Sequence, residues 1–435
     1  MEEGPVSELL LHNVDLLGEG LGDLFVRGER LADPAEASSQ VPTVDCSGLI
    51  ALPALVDPHT HLRDPGQGNA ETIATGLQAA VRGGYGAVFA MPNTDPVADS
   101  AEVVEYELDT ARQVGICDLY PIGAVTTGQA GQELADLEGM AASGAAVRMF
   151  SDDGHCVSRS DLMRGALERT SRLGGFVAQH AQDPLLTVGA QLDDGPLAAE
   201  LGKPGWPGMA ESVIIARDAL MAGYLGARLH VCHVSTAAGV EVVRWAKHQD
   251  IDITAEATPH HLALTTDEVA SQDPDFKVNP PLRGPADVQA VRDAFLDGTL
   301  DMVGTDHAPH PDAAKACGWD QAANGMLGLE TALAVVADLF VQSGRMTWRQ
   351  LSDRMSQAPA RLLGIEAEHG GHLEVGRFAN ICLVDPDHPW RVDPARLASI
   401  AHNTPFKERN YRTSVAATLL RGRATYDPGR HFSLA

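Results

Sequence analysis

The residues best suited to chemistry open at Asp57-Pro58-His59-Thr60-His61-Leu62-Arg63-Asp64-Pro65-Gly66. They follow an apolar run, Leu49 to Val56, that predicts a buried strand. Side chains two apart on a strand share a face. His59 and His61 therefore project together, as two ligands of one metal require. Arg63, two positions on, can meet an anion beside that metal. Imidazoles and carboxylates recur after other apolar runs: Ser151-Asp152-Asp153-Gly154, Gln179-His180-Ala181, Cys232-His233-Val234 and Thr305-Asp306-His307. Both ligand types suit zinc. Two metals about 3.5–4 Å apart can share a bridging hydroxide. Asp153 is the candidate carboxylate bridge and Asp152 its rival, since alternation turns only one inward. Asp306 can ligate a metal and carry a proton from water to a leaving nitrogen, as general base and then acid. No Lys lies between Ala145 and Cys156, so a carboxylated-lysine bridge is unavailable there.

The elements that must position these groups alternate along the chain. Eight strand candidates are Leu49 to Val56, Gly86 to Met91, Leu119 to Ala124, Ala145 to Phe150, Gly175 to Gln179, Arg228 to Cys232, Ile251 to Glu256 and Leu300 to Gly304. Helical patterns between them include Ala70 to Arg82, Ala101 to Val114, Arg159 to Leu173, Ala210 to Leu225, Ala237 to Lys247 and Ala286 to Leu296. This alternation predicts an α/β fold, a (β/α)8 TIM-like barrel whose site lies at the C-terminal strand ends. Short turn-rich strands at both chain ends predict one small β-rich domain, residues 1–52 plus 367–435, beside a barrel of residues 53–366. Pro309 to Gly328 reads as a long functional loop that moves over bound substrate.

Composition limits the partners. Acidic residues outnumber basic ones 59 to 32, for a formal charge of -27 over 435 residues, which argues against nucleic acid and anionic membranes. An anionic substrate would need a local positive site, because charges beyond about 8 Å are largely screened. The six cysteines are scattered with no C-x-x-C pair and read as reduced thiols. The acidic N-terminal segment lacks a signal peptide's basic n-region, and no apolar run approaches the roughly 20 residues of a membrane span. A cytoplasmic protein is expected.

The motifs carry a resemblance. DPHTHLRDPG at 57–66, MPNT at 91–94, FSDDG at 150–154, HVCHVST at 230–236, TPHH at 258–261, NPPLR at 279–283, GTDHAPH at 304–310 and GLET at 328–331 occur in that order. The chain resembles the amidohydrolase superfamily and, within it, class I dihydroorotases of the bacterial kind. The resemblance implies reversible cyclisation of N-carbamoyl-L-aspartate to L-dihydroorotate, a step of pyrimidine synthesis. It implies two Zn2+ ions per subunit: His59, His61 and Asp306 on one, His180 and His233 on the other, Asp153 and a hydroxide between them. Arg63, Asn93 and His310 would hold the substrate carboxylate. Asn279 and the backbone at Asn324 and Gly325 would hold the ring amide groups. A homodimer and an association with aspartate transcarbamoylase are left open. The alternatives are a hydantoinase- or allantoinase-like hydrolase on the same scaffold, and a non-catalytic barrel that supports aspartate transcarbamoylase. The chain departs from the family at Leu52-Pro53-Ala54, at Gln182, where an acidic residue is more usual, and at Asn324, where a bulky apolar residue is expected.

Other polar residues have plainer readings. His260 and His261 are expected to orient or pack behind the ligands. Cys232 is expected to be a buried thiol facing away from the site. Lys277, Arg283 and the Asp193-Asp194 pair read as solvated charges.

Overall fold

A computed structural model describes residues 8–429 and 432. Residues 1–7, within both the small β-domain and the N-terminal segment read above, lie outside the described residues, as do 430, 431 and 433–435. Eight short strands form the barrel: Leu55–Thr60, Tyr85–Ala90, Asp118–Pro121, Met149–Phe150, Phe176–Gln179, Leu229–Val231, Ile253–Ala257 and Met302–Val303. All eight correspond to strand candidates in the sequence. Strands one to three pair in parallel, and so do four to eight. Two parallel bridges complete the ring, Gly123 with Phe150 and Thr60 with His307.

Helices cover the outside where the 3.6-residue pattern places them: Ile73–Arg82, Ala101–Val114, Ser160–Arg172, Met209–Leu225, Ala237–His248 and Pro285–Asp297. Ile73–Arg82 shows why. Thr72 caps it by accepting from the Thr75 amide at 3.1 Å. Ile73, Leu77 and Ala80 then face the barrel on successive turns. Gly76 sits where a Cβ would lie 2.5 Å from Leu62, the residue between His61 and Arg63. A side chain at 76 would thus push on the site loop. Inside the barrel, Val56, Phe89, Met149, Phe176 and Met302 form a dry floor beneath the strand ends.

Both chain ends meet in a second sheet, as the sequence suggests. Its order is Arg423–Tyr426, Ser414–Leu420, Ile381–Asp385, Ile50–Pro53, Glu8–Leu16, Leu21–Arg27, Arg30–Ala32, with Thr43–Asp45 also pairing Glu8–Leu16. One strand reading needs correction. Leu49 to Val56 is two strands, not one. Ile50–Pro53 pairs with Ile381–Asp385 in the end sheet, and Leu55–Thr60 opens the barrel. The switch occurs at Ala54, buried and bonded to Asn380 rather than exposed in a turn. The two units are stapled at Asp118, which receives both guanidinium nitrogens of Arg421 at 3.0 and 2.6 Å and the ring of His369 at 2.7 Å.

Candidate metal centre

Five barrel strands deliver six ligand-type side chains to one point. His59 is the penultimate residue of the first strand and His61 follows it. Asp153 follows the fourth, His180 the fifth, His233 the sixth and Asp306 the eighth. All six are buried. Asp153 faces both sides. Its Oδ1 lies 3.2 Å from His180 Nδ1 and 3.2 Å from His233 Nε2. Its Oδ2 lies 3.2 Å from His61 Nε2 and 3.5 Å from His59 Nε2. Asp306 Oδ1 is 3.1 Å from His61 Nε2 and 3.5 Å from His59 Nε2. Two donor groups result, His59, His61, Asp153 and Asp306, and Asp153, His180 and His233. Asp152 points elsewhere: it accepts from the Val125 and Thr126 amides and the Thr126 hydroxyl.

These residues fit metal ions. His59 Nε2 is buried without a hydrogen-bond partner and looks towards two carboxylates. His180 Nδ1 and His233 Nε2 stand 2.9 Å apart. Buried polar atoms without partners are costly, and a shared cation is what such a donor set accommodates.

The ring orientations are set from behind. Glu256, within the seventh strand, accepts from His59 Nδ1 at 2.6 Å, His230 Nε2 at 3.2 Å and the His233 amide at 3.2 Å. Asn93 Oδ1 takes His61 Nδ1 at 2.8 Å. The His59 and His61 bonds use the proton on Nδ1 and leave the Nε2 lone pair of each ring for a metal. Burial opposes charge on Glu256, yet His59 and His230 hold its carboxyl down at about 2. Burial likewise opposes charge on Asp153, and the imidazoles of His59, His180 and His233 outweigh it, keeping the carboxyl well below the usual range. Gly304 makes room for Glu256, since a Cβ there would meet Glu256 Oε2 at 2.3 Å. Asp57 Oδ2 accepts the Thr305 hydroxyl at 2.5 Å, and its Oδ1 the Thr305 and His59 amides. It thereby ties the first strand's end to the eighth's. Arg63, His233 and Asp306 all adopt positive φ, 61°, 33° and 48°. Strained backbone of this kind costs about 1–3 kcal/mol per residue and gathers at functional sites.

A cavity of about 270 Å³ opens over this cluster, lined by His61, Arg63, Asn93, Asp153, Gly154, His180, Asn279, Asp306, Ala308, Asn324 and Gly325. Burial pulls the Arg63 guanidinium down to about 10, which still leaves it cationic at neutral pH. Its Nε donates to the Pro309 carbonyl at 3.2 Å. His310 stands behind the lining, with Nε2 on the Asn324 carbonyl at 2.7 Å. Burial and the nearby Arg63 push its pKa down to about 3, so its ring is neutral.

The structure corrects several of the expectations above. Lys277 is buried and donates to the Trp319 carbonyl at 2.6 Å and Gln191 at 3.0 Å. Arg283 is buried and bonded to Asp193 at 2.7 Å, the Trp206 carbonyl at 2.8 Å and Ser235 at 3.1 Å. None of Lys277, Arg283 or Asp193 is therefore a freely solvated charge. They are the wiring of the loops around the site. Cys232 is buried as expected but does not face away: its sulfur lies beside His59 and Glu256 on the inner side of the barrel. His261 donates Nε2–H to the Pro280 carbonyl at 3.1 Å and so orders the segment carrying Asn279. Within Pro309 to Gly328, Lys315 donates to the carbonyls of Pro274, Lys277 and Ala323 at 2.9, 3.1 and 2.7 Å, which anchors that loop. A residue far along the chain, Asn403, was invisible to motif reading. Its Nδ2 donates to the Ala308 and Gly325 carbonyls, both at 3.1 Å, and its Oδ1 accepts the His310 amide at 3.2 Å.

Comparison with known proteins follows the same lines. Residues 48–238 match a family model described as dihydro-orotase-like. A dihydroorotase of Streptomyces coelicolor is 49% identical over 428 residues, covering 98% of this chain and 100% of the relative. One from Mycobacterium leprae is 51% identical over 422 residues, covering 96% and 98%. The chain belongs to the dihydroorotase family. Among solved structures, an L-hydantoinase from Arthrobacter aurescens aligns with a TM-score of 0.85 at 25% identity, over 97% of both chains. A dihydropyrimidinase from Brevibacillus agri aligns at 0.82 with 20% identity, over 97% and 95%, and shows the shared fold alone. The dihydroorotase family is metal-dependent, in keeping with the two donor groups of this member. No helix among the described residues is long and apolar enough to cross a membrane.

Proposed function

We propose that the chain is a dihydroorotase that interconverts N-carbamoyl-L-aspartate and L-dihydroorotate at this cavity. The observation that carries the reading is Asp153 set between two histidine groups, under a cavity that also holds Arg63. His59, His61 and Asp306 would hold one Zn2+, His180 and His233 the second, with Asp153 common to both. Two zinc ions supply Lewis-acid activation of an amide carbonyl and of water near neutral pH.

The protein's own groups do the rest. Arg63 offers a forked cation to the substrate carboxylate, with Asn93 beside it, while His310 gives its one proton to the Asn324 carbonyl and holds that part of the wall from behind. This answers how an acidic protein binds an anion: the positive site is local. Asn279 and the backbone at Asn324 and Gly325 meet the ring amide. Asp306 takes the proton of the attacking water and returns it to the leaving ring nitrogen. In the reverse direction a protonated Asp306 takes part, so cyclisation dominates at acidic pH and hydrolysis at alkaline pH. Among the described residues, 54–366 would form the catalytic unit, and 8–53 with 367–429 the small β-unit. Zinc as the ion, a homodimer and association with aspartate transcarbamoylase rest on the resemblance, and a cytoplasmic location on the scattered cysteines and the acidic N-terminal segment.

Turnover of dihydroorotate against hydantoin tests the reading. Faster dihydroorotate hydrolysis is expected; faster hydantoin hydrolysis would transfer the chain to the hydantoinase reading. A complete set of six ligand-type residues weighs against a purely structural barrel.

A further inference from the structure

Gln182, one of the departures from the family pattern, sits at a junction of three hydrogen-bonding side chains. Its Nε2 donates to Thr187 Oγ1 at 2.8 Å. The Thr187 hydroxyl donates to the Asp183 carbonyl at 3.0 Å. On its other side, Gln182 Oε1 lies 2.9 Å from His180 Nε2 and 3.0 Å from Asn279 Nδ2. Asn279 Oδ1 is buried and has no protein partner, and Asn279 lines the cavity.

The direction of every bond in this chain follows from its end. A backbone carbonyl can only accept. The single proton of Thr187 is therefore spent on Asp183, and Thr187 must accept from the Gln182 amine. The Gln182 oxygen then faces inward and takes two donors. His180 must carry its proton on Nε2, which frees Nδ1 towards Asp153 and His233. Asn279 aims one N–H of its amide at Gln182, which fixes the plane of the group and makes its unpartnered Oδ1 the acceptor left for a ligand.

We propose that Gln182 is a positioning residue that sets two polarities at once: the His180 tautomer that faces the metal pair, and the acceptor that Asn279 shows to substrate. The cavity wall at Asn279 then selects a ligand that places an N–H there. A ring or carbamoyl amide satisfies it, whereas an ester oxygen at the same point would set lone pair against lone pair. The inference deepens the proposed function and rests on it for the identity of the ligand.

Gln182→Met keeps the length and removes the acceptor, and Gln182→Glu keeps an acceptor for both donors. Zinc titration of the metal-free protein against a chromophoric chelator, with KM and kcat for dihydroorotate, reads both polarities. Gln182→Met is expected to weaken one of two zinc sites by about 10–100-fold, the usual effect of losing a partner behind a ligand. Its KM is expected to rise more than its kcat falls. Gln182→Glu is expected to stay within about threefold of wild type on both readouts. Unchanged zinc affinity and KM in Gln182→Met, or equal damage in Gln182→Glu, would overturn the inference. Wild-type protein that binds zinc but turns over no dihydroorotate would instead overturn the proposed function, and the zinc arm would still test Gln182.

Discussion

Asn403→Ala probes how the wall of the cavity is held. Asn403 is 3% exposed and comes from a segment that crosses over the barrel mouth after the catalytic sequence has ended. It binds the Ala308 and Gly325 carbonyls and the His310 amide, and its own carbonyl accepts from Leu327 at 3.0 Å. Ala308 and Gly325 both line the cavity. Truncation leaves two carbonyls and one N–H without that partner. A buried group left unpaired costs about 1–3 kcal/mol, so a stability loss of about 3 kcal/mol or more is expected. The released segments line the proposed substrate cavity, and displacement by about 1 Å costs roughly 100-fold in rate. A 10–100-fold fall in kcat/KM is therefore expected. Asn403→Asp keeps the acceptor for His310 but sets a carboxylate against two carbonyls, and should lose more stability than Asn403→Ala. Urea unfolding followed by tryptophan fluorescence, with steady-state turnover, measures both. If both variants lie within about 0.5 kcal/mol and twofold of wild type, the account of this strap is wrong.

Glu330 makes stability depend on pH. Burial pushes its carboxyl up from 4.5 to about 7, although the Ala398 amide and Arg82 favour its charge. The folded state thus holds the proton more tightly than the unfolded one, and stability is lost as pH rises from 4.5 through about 7. The shift corresponds to about 3 kcal/mol at most, and Glu330→Gln should flatten that slope in denaturation curves taken from pH 4 to 8. Glu256→Gln should cost about 10–100-fold in metal affinity while the fold survives, as read by chelator competition and circular dichroism; undiminished metal affinity would remove Glu256 from the site. Asp306→Ala should abolish turnover in both directions; near-normal rates in either direction would end its assigned role.

The strand pattern was legible because barrel strands alternate with helices whose apolar spacing is strong, and Ala101–Val114 matches its sequence reading at both ends. The metal-facing groups were legible because each stands at the end of such a run. Leu49 to Val56 misled because its eight mostly apolar residues read as one run, although Pro53, which cannot donate to a ladder, marks where the chain changes sheet. Glu256 was missed because it lies inside an apolar strand, where a polar residue looks like noise until a partner appears across the barrel; Asp57 stood in the opening motif, but its tie to Thr305 spans 248 positions and no local spacing shows it. Glu256, in Ile253-Thr254-Ala255-Glu256-Ala257, was the available signal. Lys277 and Arg283 show the opposite error. Nothing in a charged residue's neighbours reveals that carbonyls from distant loops will surround it. Asn403 acts through bonds to residues 78 to 95 positions away, which no local spacing encodes.

The join between the barrel's first and last strands is made by the ligand segments themselves. Thr60 bridges His307, the His61 amide binds the His307 carbonyl at 2.8 Å, and the Asp306 amide binds the His59 carbonyl at 3.1 Å. Shutting the ring is therefore also what brings His59, His61 and Asp306 together, whereas Asp153, His180 and His233 follow strands four to six and do not depend on that join. A barrel left open would keep one donor group and lose the other.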